Sequence, residues 1–385
     1  MTDPGAPSVP APKPGRRRRP RQRRWVRPTV IGLAVLLVLL GGAAFWGYSA
    51  MAGKIHTFDA AGVSAHRPNP TSGENMLLIG TDSRAGQSGV LGGRGDAVGR
   101  SDTTILVHVF SGSRRAVAVS IPRDSLVTVP SCRLPDGSWT QPQHDVMFNS
   151  AFSVGDTVAG NPACTQNTVE KLTGLRIDHT VVANFAGFAA LSDAVGGVPV
   201  CVPNAVYQDD LRPQMTTRGK LLFHAGRQLV EGTKALDYVR IRHGLGDGSD
   251  IGRIKRQQAF LSSMIDTIRK QGLSSSHLLP LVDAATANLT FDSGLGSPIK
   301  LLSFAMGLRD LQPSDIDFVT VPWRYDGYRV AIVQPAARRL WAALRNDQPV
   351  TSAAGHARRT HHDGVPKAVL AGGRTASTNP CADLT

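Results

Sequence analysis

Short apolar runs and amphipathic stretches alternate along the chain from residue 74 onward. The run Met76–Gly80 has the length of a buried strand and ends in a glycine. Two β-branched runs, Thr103–Phe110 and Arg115–Ile121, flank Ser111-Gly112-Ser113, which predicts a hairpin. Further strands are predicted at Thr180–Asn184, Val198–Val202 and Asp315–Val321.

The clearest helical pattern covers Asp250–Gln271, where apolar side chains recur with helical spacing and Gln258 fills a gap in the stripe. Because strands and helices alternate, the sequence predicts an α/β protein with a largely buried sheet. Other helices are predicted at Val146–Val154, Thr165–Thr173, Phe185–Val195, Gly232–Val239, His277–Asn288, Pro298–Leu308 and Gln334–Asn346.

A longer apolar run, Thr29–Ala52, contains no charged residue and follows a strongly basic segment. Its length suits a membrane-spanning helix, and basic residues beside such a helix favour the cytoplasmic side. A cleaved signal peptide is an alternative, because small residues at 41–44 and 49–52 offer cleavage sites, and a buried core helix is another. The predicted organisation is a cytoplasmic disordered arm (1–27), a transmembrane helix (28–52), a linker (53–73), an extracytoplasmic catalytic domain (74–345) and a polar tail (346–385).

The net charge of +14 is concentrated at the N-terminus, where residues 1–27 hold nine basic groups and one acid. That segment therefore contributes +8 of the net charge. Because basic residues beside a membrane helix set its orientation, this excess is explained without nucleic acid, which is not an expected partner. Four cysteines suit an oxidising compartment. Of the three possible pairings we favour Cys132 with Cys164 in a loop-rich stretch, and Cys201 with Cys381, although free thiols are the alternative.

Two aspartates lie where predicted strands begin or end: Asp82 follows the run at 76–80, and Asp102 precedes the run at 103–110. Adjacent strands bring the two carboxylates together, and such a pair suits Mg²⁺ with phosphate oxygens and water as further ligands. Capping of two turns is the alternative role.

Three arginines, in two segments, provide a second indication of a binding site for a phosphate or another anion. Arg123 ends a strand and can fork onto a phosphate while Asp124 orients it, although a surface ion pair explains them equally. Arg240 and Arg242 share one face if their segment is extended, which favours a bridging anion over a solvated basic edge. We expect His243 at most to contact the residues that bind the ligand, and not the ligand itself.

On the predicted helix at 250–271, Asp250, Arg253 and Gln257 share one face near the N-terminus, where backbone N–H groups favour anions. Capping of the helix is an equal explanation for Asp250. The glycine-rich segment 85–99 is predicted to be a mobile loop and does not match a P-loop. Among the arginines around it (Arg84, Arg94 and Arg100), Arg100 is the strongest candidate for ligand binding, because it lies beside Asp102.

Taken together, these segments resemble the LytR–CpsA–Psr family of cell-envelope phosphotransferases. The resemblance is strong over residues 74–271 and weaker to about residue 345. The matching segments are LIGTDSR (78–84), RSDT (100–103), SIPRDS (120–125), FAGF (185–188), DAVGGV (193–198), GTKALDYVRIR (232–242) and DIGRIKRQQ (250–258).

The resemblance implies a three-layer α/β/α sandwich with a mixed central sheet and an apolar pocket for a polyprenyl phosphate lipid. It implies Mg²⁺ (or Mn²⁺) on Asp82 and Asp102. From their positions, Asp124 is a candidate catalytic residue, since either Asp102 or Asp124 takes the acceptor proton, and Arg84, Arg100 and Asp250 are candidate substrate contacts. It also implies that the pyrophosphate is gripped by Arg123, Arg240, Arg242, Arg253 and Gln257.

The implied reaction moves a phospho-glycopolymer, of the arabinogalactan or teichoic acid type, from a polyprenyl-pyrophosphate carrier to a peptidoglycan hydroxyl. The partners are thus the lipid-linked donor, peptidoglycan and the membrane. The alternatives are a polyprenyl-pyrophosphate pyrophosphatase that uses the same site, and a non-enzymatic membrane-bound regulator whose basic arm binds nucleic acid.

Overall fold

A computed structural model describes residues 42, 47–49, 52–58, 60–83, 99–112, 114–154, 162–211, 214–241, 245, 248–272, 274–350 and 374–375 of the chain. By compactness the chain divides into two units, residues 1–50 and 51–385. The described residues of the first unit, 42 and 47–49, are helical. The predicted arm (1–27), most of the predicted transmembrane helix and most of the predicted tail lie outside the described residues, and these boundaries stay predictions.

Within its described residues, the second unit is built on one mixed sheet of eight strands. Its strands, numbered along the chain, are β1 (His56–Thr57), β2 (Glu74–Thr81), β3 (Ser101–Val109), β4 (Ala116–Ile121), β7 (His179–Ala183), β12 (Leu289–Phe291), β13 (Ile316–Thr320) and β16 (Arg374–Thr375). Their order across the sheet is β1-β12-β7-β2-β3-β4-β13-β16. β2 runs parallel to β7 and antiparallel to β3, and β4 runs antiparallel to β3 and parallel to β13.

The part of the chain that the structure describes also forms four two-stranded antiparallel ribbons. They pair β5 (Leu126–Val129) with β6 (Gln143–Met147), β8 (Val198–Val202) with β11 (Gly226–Val230), β9 (Val206–Tyr207) with β10 (Leu221–Phe223), and β14 (Trp323–Asp326) with β15 (Arg329–Ile332).

Both faces of the sheet are covered, because apolar side chains on the inner strands alternate between two core clusters. On one face, Leu77 and Leu106 pack in a cluster that contains Leu340 of a C-terminal helix. On the other face, Ile105 and Ala118 pack with Leu261 and Ile265 of the helix Asp250–Gln271. The arrangement is the predicted three layers, with helices α1 (Pro162–Thr173), α2 (Phe185–Ala194), α3 (Gln208–Leu211), α4 (Gly232–Arg240), α5 (Asp250–Gln271), α6 (Ser275–Asn288), α7 (Pro298–Gly307) and α8 (Gln334–Arg345).

Gln258 fixes the longest helix, α5, to the sheet. The side chain is 2% exposed, and its Nε2 donates to Ser120 Oγ (2.9 Å) and to the carbonyl of Val319 (3.1 Å). A buried amide is therefore satisfied by the two strands it covers, which explains why it occupies an apolar stripe.

One predicted helix is wrong. The segment Val146–Val154 begins as the end of β6 and continues as a 3-10 helix over Phe148–Phe152. Its apolar spacing suits a helical turn, but Met147 and Val146 pair with Leu126 and Val127 across an antiparallel ribbon. The short strands β5, β6, β9, β10, β11, β14 and β15 were not predicted either, because two to five residues carry too little periodicity.

The predicted disulfide between Cys132 and Cys164 is present, with a sequence separation of 32 residues. Cys201 is disulfide-bonded as well, whereas Cys381, its predicted partner, lies outside the described residues. In the part of the chain that the structure describes, no helix has the length and apolar character that a bilayer crossing requires.

Candidate functional site

Three strand ends meet at one edge of the sheet and carry the predicted acids and the first predicted arginine. The register pairs Gly80 with Thr103 and Thr104 with Ile121. The end of β2, the start of β3 and the end of β4 therefore lie side by side, because neighbouring strands in this part of the sheet are antiparallel. This register brings Asp82, Asp102 and Arg123 to the same edge, as adjacency of the strands predicts.

Asp82 is held by the backbone of Arg100. Its N–H donates to the Arg100 carbonyl (3.2 Å), and its Oδ1 accepts from the Arg100 N–H (2.6 Å). Gly99 lies so close that an added Cβ would be 2.4 Å from the backbone nitrogen of Ser83, so only glycine fits there. The Arg100 side chain is exposed, and the contacts of this residue with Asp82 are made by its backbone.

Arg123 is the centre of a network of three carboxylates. Its Nη1 donates to Asp102 Oδ1 at 2.6 Å, and its Nε lies 3.3 Å from Asp250 Oδ1 and 3.6 Å from Asp124 Oδ1. Asp250 Oδ1 also accepts a hydrogen bond from Arg253 Nη2. Acids and arginines thus alternate along the chain of contacts Asp102–Arg123–Asp250–Arg253.

The protonation equilibria follow from this mixture of burial and opposite charge. Burial alone lowers the pKa of Arg123, but Asp102 and then Asp124 and Asp250 outweigh it and raise the pKa above its usual range. Burial raises the pKa of Asp250, and Arg253 and Arg123 reduce that rise without cancelling it. The guanidinium is therefore permanently charged, and Asp250 is the acid for which ionisation is made costly.

The N-terminus of α5 corrects one interpretation of Asp250. Ser249 is the N-cap, because its Oγ accepts from the Gly252 N–H at 3.0 Å. Asp250 is the first helical residue and directs its carboxylate to Arg123 and Arg253. The capping role considered for Asp250 is therefore wrong, and its Oδ2 makes no hydrogen bond to the described residues.

Arg240 also departs from the prediction. It is the last residue of helix α4 and does not belong to an extended segment, so the alternating face predicted for Arg240 and Arg242 does not form through a strand. The Arg240 guanidinium carbon lies 4.2 Å from the centroid of the Phe185 ring, a cation–π distance. The predicted residues Arg84, Arg94, Arg242 and His243 lie outside the described residues.

Arg256 was missed by the sequence analysis. It is 4% exposed, and it donates to the carbonyls of Ile241 and Leu245, the latter at 3.3 Å. A buried arginine on α5 thus fixes two backbone positions just after Arg240. The sequence indicated this position only by its place one residue before Gln257 and three after Arg253, both of which were predicted site residues.

These elements enclose a cavity of about 860 Å³. Its polar wall consists of side chains from the sheet edge and from helices α4 and α5, while the rest of its wall is mainly apolar. The polar members include Asp82, Asp102, Asn184, Arg123, Arg240, Arg253 and Gln257. The apolar members include Leu78, Ile105, Val181, Phe185, Phe188, Leu191, Leu236, Phe260, Met264 and Leu289.

Six of the predicted site residues line this cavity together, namely Asp82, Asp102, Arg123, Arg240, Arg253 and Gln257. Asp124 and Asp250 lie behind them, against Arg123. Their described contacts are with arginines, and the catalytic role predicted for Asp124 and the substrate contact predicted for Asp250 stay predictions.

The two wall carboxylates fit a magnesium ion by their chemistry. Asp82 and Asp102 each engage a described partner through Oδ1, and both contribute to the same polar wall. Mg²⁺ commonly takes one or two carboxylates and completes its shell with substrate phosphates and water. Across the described residues no cluster of three or more His, Cys, Asp or Glu side chains suited to a metal ion occurs.

Comparisons with known proteins agree with this geometry. The model of the LytR_cpsA_psr family matches residues 48–346. The probable cell wall biosynthesis protein LcpB of Corynebacterium glutamicum is 36% identical over 332 residues, which cover 82% of this chain and 70% of that protein.

Two further proteins extend the comparison. The polyisoprenyl-teichoic acid–peptidoglycan teichoic acid transferase TagT of Bacillus subtilis is 27% identical, over 77% of this chain and 86% of its own. The solved LytR-Csp2A-Psr enzyme from Actinomyces oris shares the fold with a TM-score of 0.55 and 21% identity, over 76% of this chain and 96% of that one. The extent of the family match and the identity to LcpB show that the chain belongs to the LytR–CpsA–Psr family.

Proposed function

We propose that the chain is a membrane-anchored phosphotransferase that moves a phospho-glycopolymer from a polyprenyl-pyrophosphate carrier to a hydroxyl of peptidoglycan. The catalytic domain lies outside the cytoplasm, and the predicted helix at 28–52 anchors it to the cell membrane. The polymer is of the arabinogalactan or teichoic acid type.

The observation that carries the proposal is the division of one cavity into a charged wall and an apolar wall. Three arginines and two acids suit a pyrophosphate with a divalent cation, and the apolar side chains suit a hydrocarbon chain. Few metabolites combine two phosphates with a long hydrocarbon, and a lipid-linked glycan is one that does.

The names of the relatives support the same class of reaction. TagT is named as a transferase of teichoic acid from a polyisoprenyl carrier to peptidoglycan, and LcpB as a probable cell wall biosynthesis protein. A transferase of a cell-wall polymer is therefore the class of enzyme that the proposal assigns to this chain.

The proposed reaction replaces the phosphoanhydride bond of the donor with a phosphoester bond to the acceptor. The oxygen of the acceptor hydroxyl bonds to the phosphorus that carries the glycan, and the bond from that phosphorus to the bridging pyrophosphate oxygen breaks. The lipid leaves as a monophosphate with the bridging oxygen, and the hydroxyl proton passes to a carboxylate. Of the two acids considered for that proton, Asp102 lines the cavity and Asp124 does not.

The residues of the chain bind and orient the phosphates. Arg123, Arg253 and Arg240 offer guanidinium N–H groups to the charge that develops on the transferring phosphoryl oxygens. Asp250 and Asp124 hold Arg123 in place, and Phe185 supports Arg240. When Mg²⁺ (or Mn²⁺) is bound by Asp82 and Asp102, it supplies charge neutralisation for the two phosphates.

Transfer is tested by reconstituting the full chain in proteoliposomes with a lipid-pyrophosphate-linked oligosaccharide and peptidoglycan fragments. The expected product is a glycan joined to peptidoglycan through a phosphodiester, identified by mass spectrometry. Arg253→Ala is expected to abolish transfer, while Lys255→Ala, an exposed neighbour on the same helix, leaves transfer unchanged. Release of free glycan phosphate with no covalent product identifies a pyrophosphatase and contradicts the transfer reaction.

The metal assignment has a test that does not depend on turnover. Titration of the full chain with Mn²⁺, followed by electron paramagnetic resonance of the free ion, is expected to give binding that Mg²⁺ displaces. Asp82→Asn and Asp102→Asn each weaken that binding, whereas Asp283→Asn does not, because Asp283 is exposed and pairs with Lys54. Equal Mn²⁺ binding by all three variants overturns the assignment.

A further inference from the structure

Helix α7 is apolar on two opposite sides. Leu301 and Phe304 face the protein and pack against the cluster formed by Leu289, Phe291 and Leu295. Ile299, Leu302 and Met306 lie on the other side of the helix, spaced three and four residues apart, and are 62%, 50% and 52% exposed. Three large apolar side chains thus form one outward face, which we call the α7 face.

The α7 face lies beside the start of the folded domain. Ile55, which precedes β1, belongs to the cluster that holds Leu301 and Phe304, and Lys54 pairs with Asp283 of α6 at 2.6 Å. The proposed membrane helix ends at residue 52, and three residues of extended chain reach at most about 10 Å. On the proposed topology the chain therefore enters the domain from the anchor at this cluster.

The same cluster continues into the cavity. Leu289, Val181, Ala183 and Leu191 belong to the cluster beneath α7 and also line the cavity wall. The layer of side chains that supports α7 from inside is thus the apolar end of the cavity. The α7 face is thus the outer side of a helix whose inner side chains pack against the apolar wall of the cavity.

We infer that the α7 face is a membrane-docking surface, which inserts Ile299, Leu302 and Met306 into the interface of the bilayer. An interfacial helix needs an apolar face of this kind, and long basic side chains such as Lys300 beside it keep their charge in the headgroup layer. Docking holds the apolar end of the cavity beside the lipid from which the polyprenyl chain comes. The inference rests on the proposed membrane anchor and polyprenyl donor.

Lipid photocrosslinking of the full chain tests the docking surface. Vesicles of phosphatidylethanolamine and phosphatidylglycerol carry a trace of lipid with a diazirine in its acyl chain, and mass spectrometry locates the labelled residues. Label is expected on residues 298–309 and is expected to be absent from the β14–β15 ribbon, a separate two-stranded sheet that pairs with Asp124 and Ser125 through Val330 and carries the fully exposed Tyr328. Equal labelling of both segments overturns the inference.

A matched pair of leucine variants separates docking from general surface effects. Leu302→Glu is expected to reduce lipid label on α7 several-fold, while Leu229→Glu, which changes another exposed leucine (57%) on β11, leaves that label unchanged. Leu302→Glu also slows transfer from a donor embedded in the bilayer but not from a short-chain donor in detergent. Crosslinks from α7 to a second copy of the chain in place of lipid contradict docking and indicate a dimer interface.

The labelling readout is independent of catalysis. If α7 is labelled but no covalent product forms, the docking surface is supported and the transfer reaction is contradicted. If the chain transfers glycan from a donor in the bilayer while α7 stays unlabelled, only the docking surface is contradicted. If the chain does not remain with washed vesicles, both the anchor and the docking surface are contradicted.

Discussion

Replacing Arg123 by methionine tests whether the acids at the site depend on one cation. The change keeps much of the side-chain length and leaves Asp102, Asp124 and Asp250 without the guanidinium at 2.6–3.6 Å. All four side chains are less than a third exposed. At an effective dielectric constant of about 20, a pair 3.3 Å apart represents about 5 kcal/mol before desolvation is counted.

The expected net loss in the free energy of unfolding is smaller than this Coulomb energy and depends on pH. Removing one partner of a buried ion pair costs about 3–5 kcal/mol in the free energy of unfolding. Because the pKa of Asp250 is already raised in the folded state, its contribution is most favourable below the unfolded pKa and is lost as pH rises through the folded pKa. Loss of Arg123 raises that pKa further, so the destabilisation grows between acidic and mildly alkaline pH.

Urea unfolding of the detergent-solubilised chain, followed by tryptophan fluorescence from pH 5 to 8, measures this effect. Combining Arg123→Met with Asp250→Asn is expected to restore much of the lost stability and to flatten the pH dependence. Arg67→Met is the control, because Arg67 pairs with buried Glu170 at 2.6 Å away from the cavity: it lowers stability but not transfer by the remaining folded protein. A destabilisation by Arg123→Met that is independent of pH and unrelieved by Asp250→Asn refutes the electrostatic account of the network.

Three further predictions concern other residues. Gln258→Leu is expected to lower the free energy of unfolding by about 1–3 kcal/mol in urea titrations, because it removes the donor to Ser120 and Val319, whereas Gln257→Leu on the cavity wall lowers transfer with little change in stability. Joint replacement of Cys132 and Cys164 by alanine is expected to cost about 4 kcal/mol of unfolding free energy for a 32-residue separation, and an unchanged urea midpoint contradicts this. The pKa of His179 is raised by its hydrogen bond to Asp292, so the stabilisation that it provides is present below the unfolded pKa near 6.5 and is lost as pH rises through the folded pKa. Thermal unfolding at pH 6 and pH 8.5 is expected to show this loss of stability. His179→Gln is expected to remove the difference between the two pH values.

Long periodic segments were predictable because each repeats one signal many times. Helix α5 has the predicted bounds, Asp250–Gln271, since its stripe recurs over six turns and Ser249 precedes it. The β3–β4 hairpin was predicted with boundary shifts of one or two residues, because β-branched runs flank a short glycine-containing turn. The β5–β6 ribbon could not be predicted, since its pairing depends on contacts that a four-residue strand does not encode.

The sequence predicts which residues form the site better than it predicts how those residues are arranged. Asp82, Asp102 and Arg123 follow from the order of strands, because antiparallel neighbours return charged ends to one edge. The helical position of Arg240 could not be derived, since an alternating RIR segment fits a strand as well as the end of a helix. The exchange of roles between Ser249 and Asp250 depends on one residue of helix register, which sequence patterns rarely fix.

The clamp between Asp82 and Arg100 has a consequence for how related chains diversify. Two hydrogen bonds close the base of the connection between β2 and β3, and Gly99 permits the close approach at Ser83. Each doubling of a closed loop costs only about 0.6 kcal/mol. We therefore expect changes of length between Ser83 and Gly99 to cost little folding free energy and to leave Asp82 and Asp102 in place.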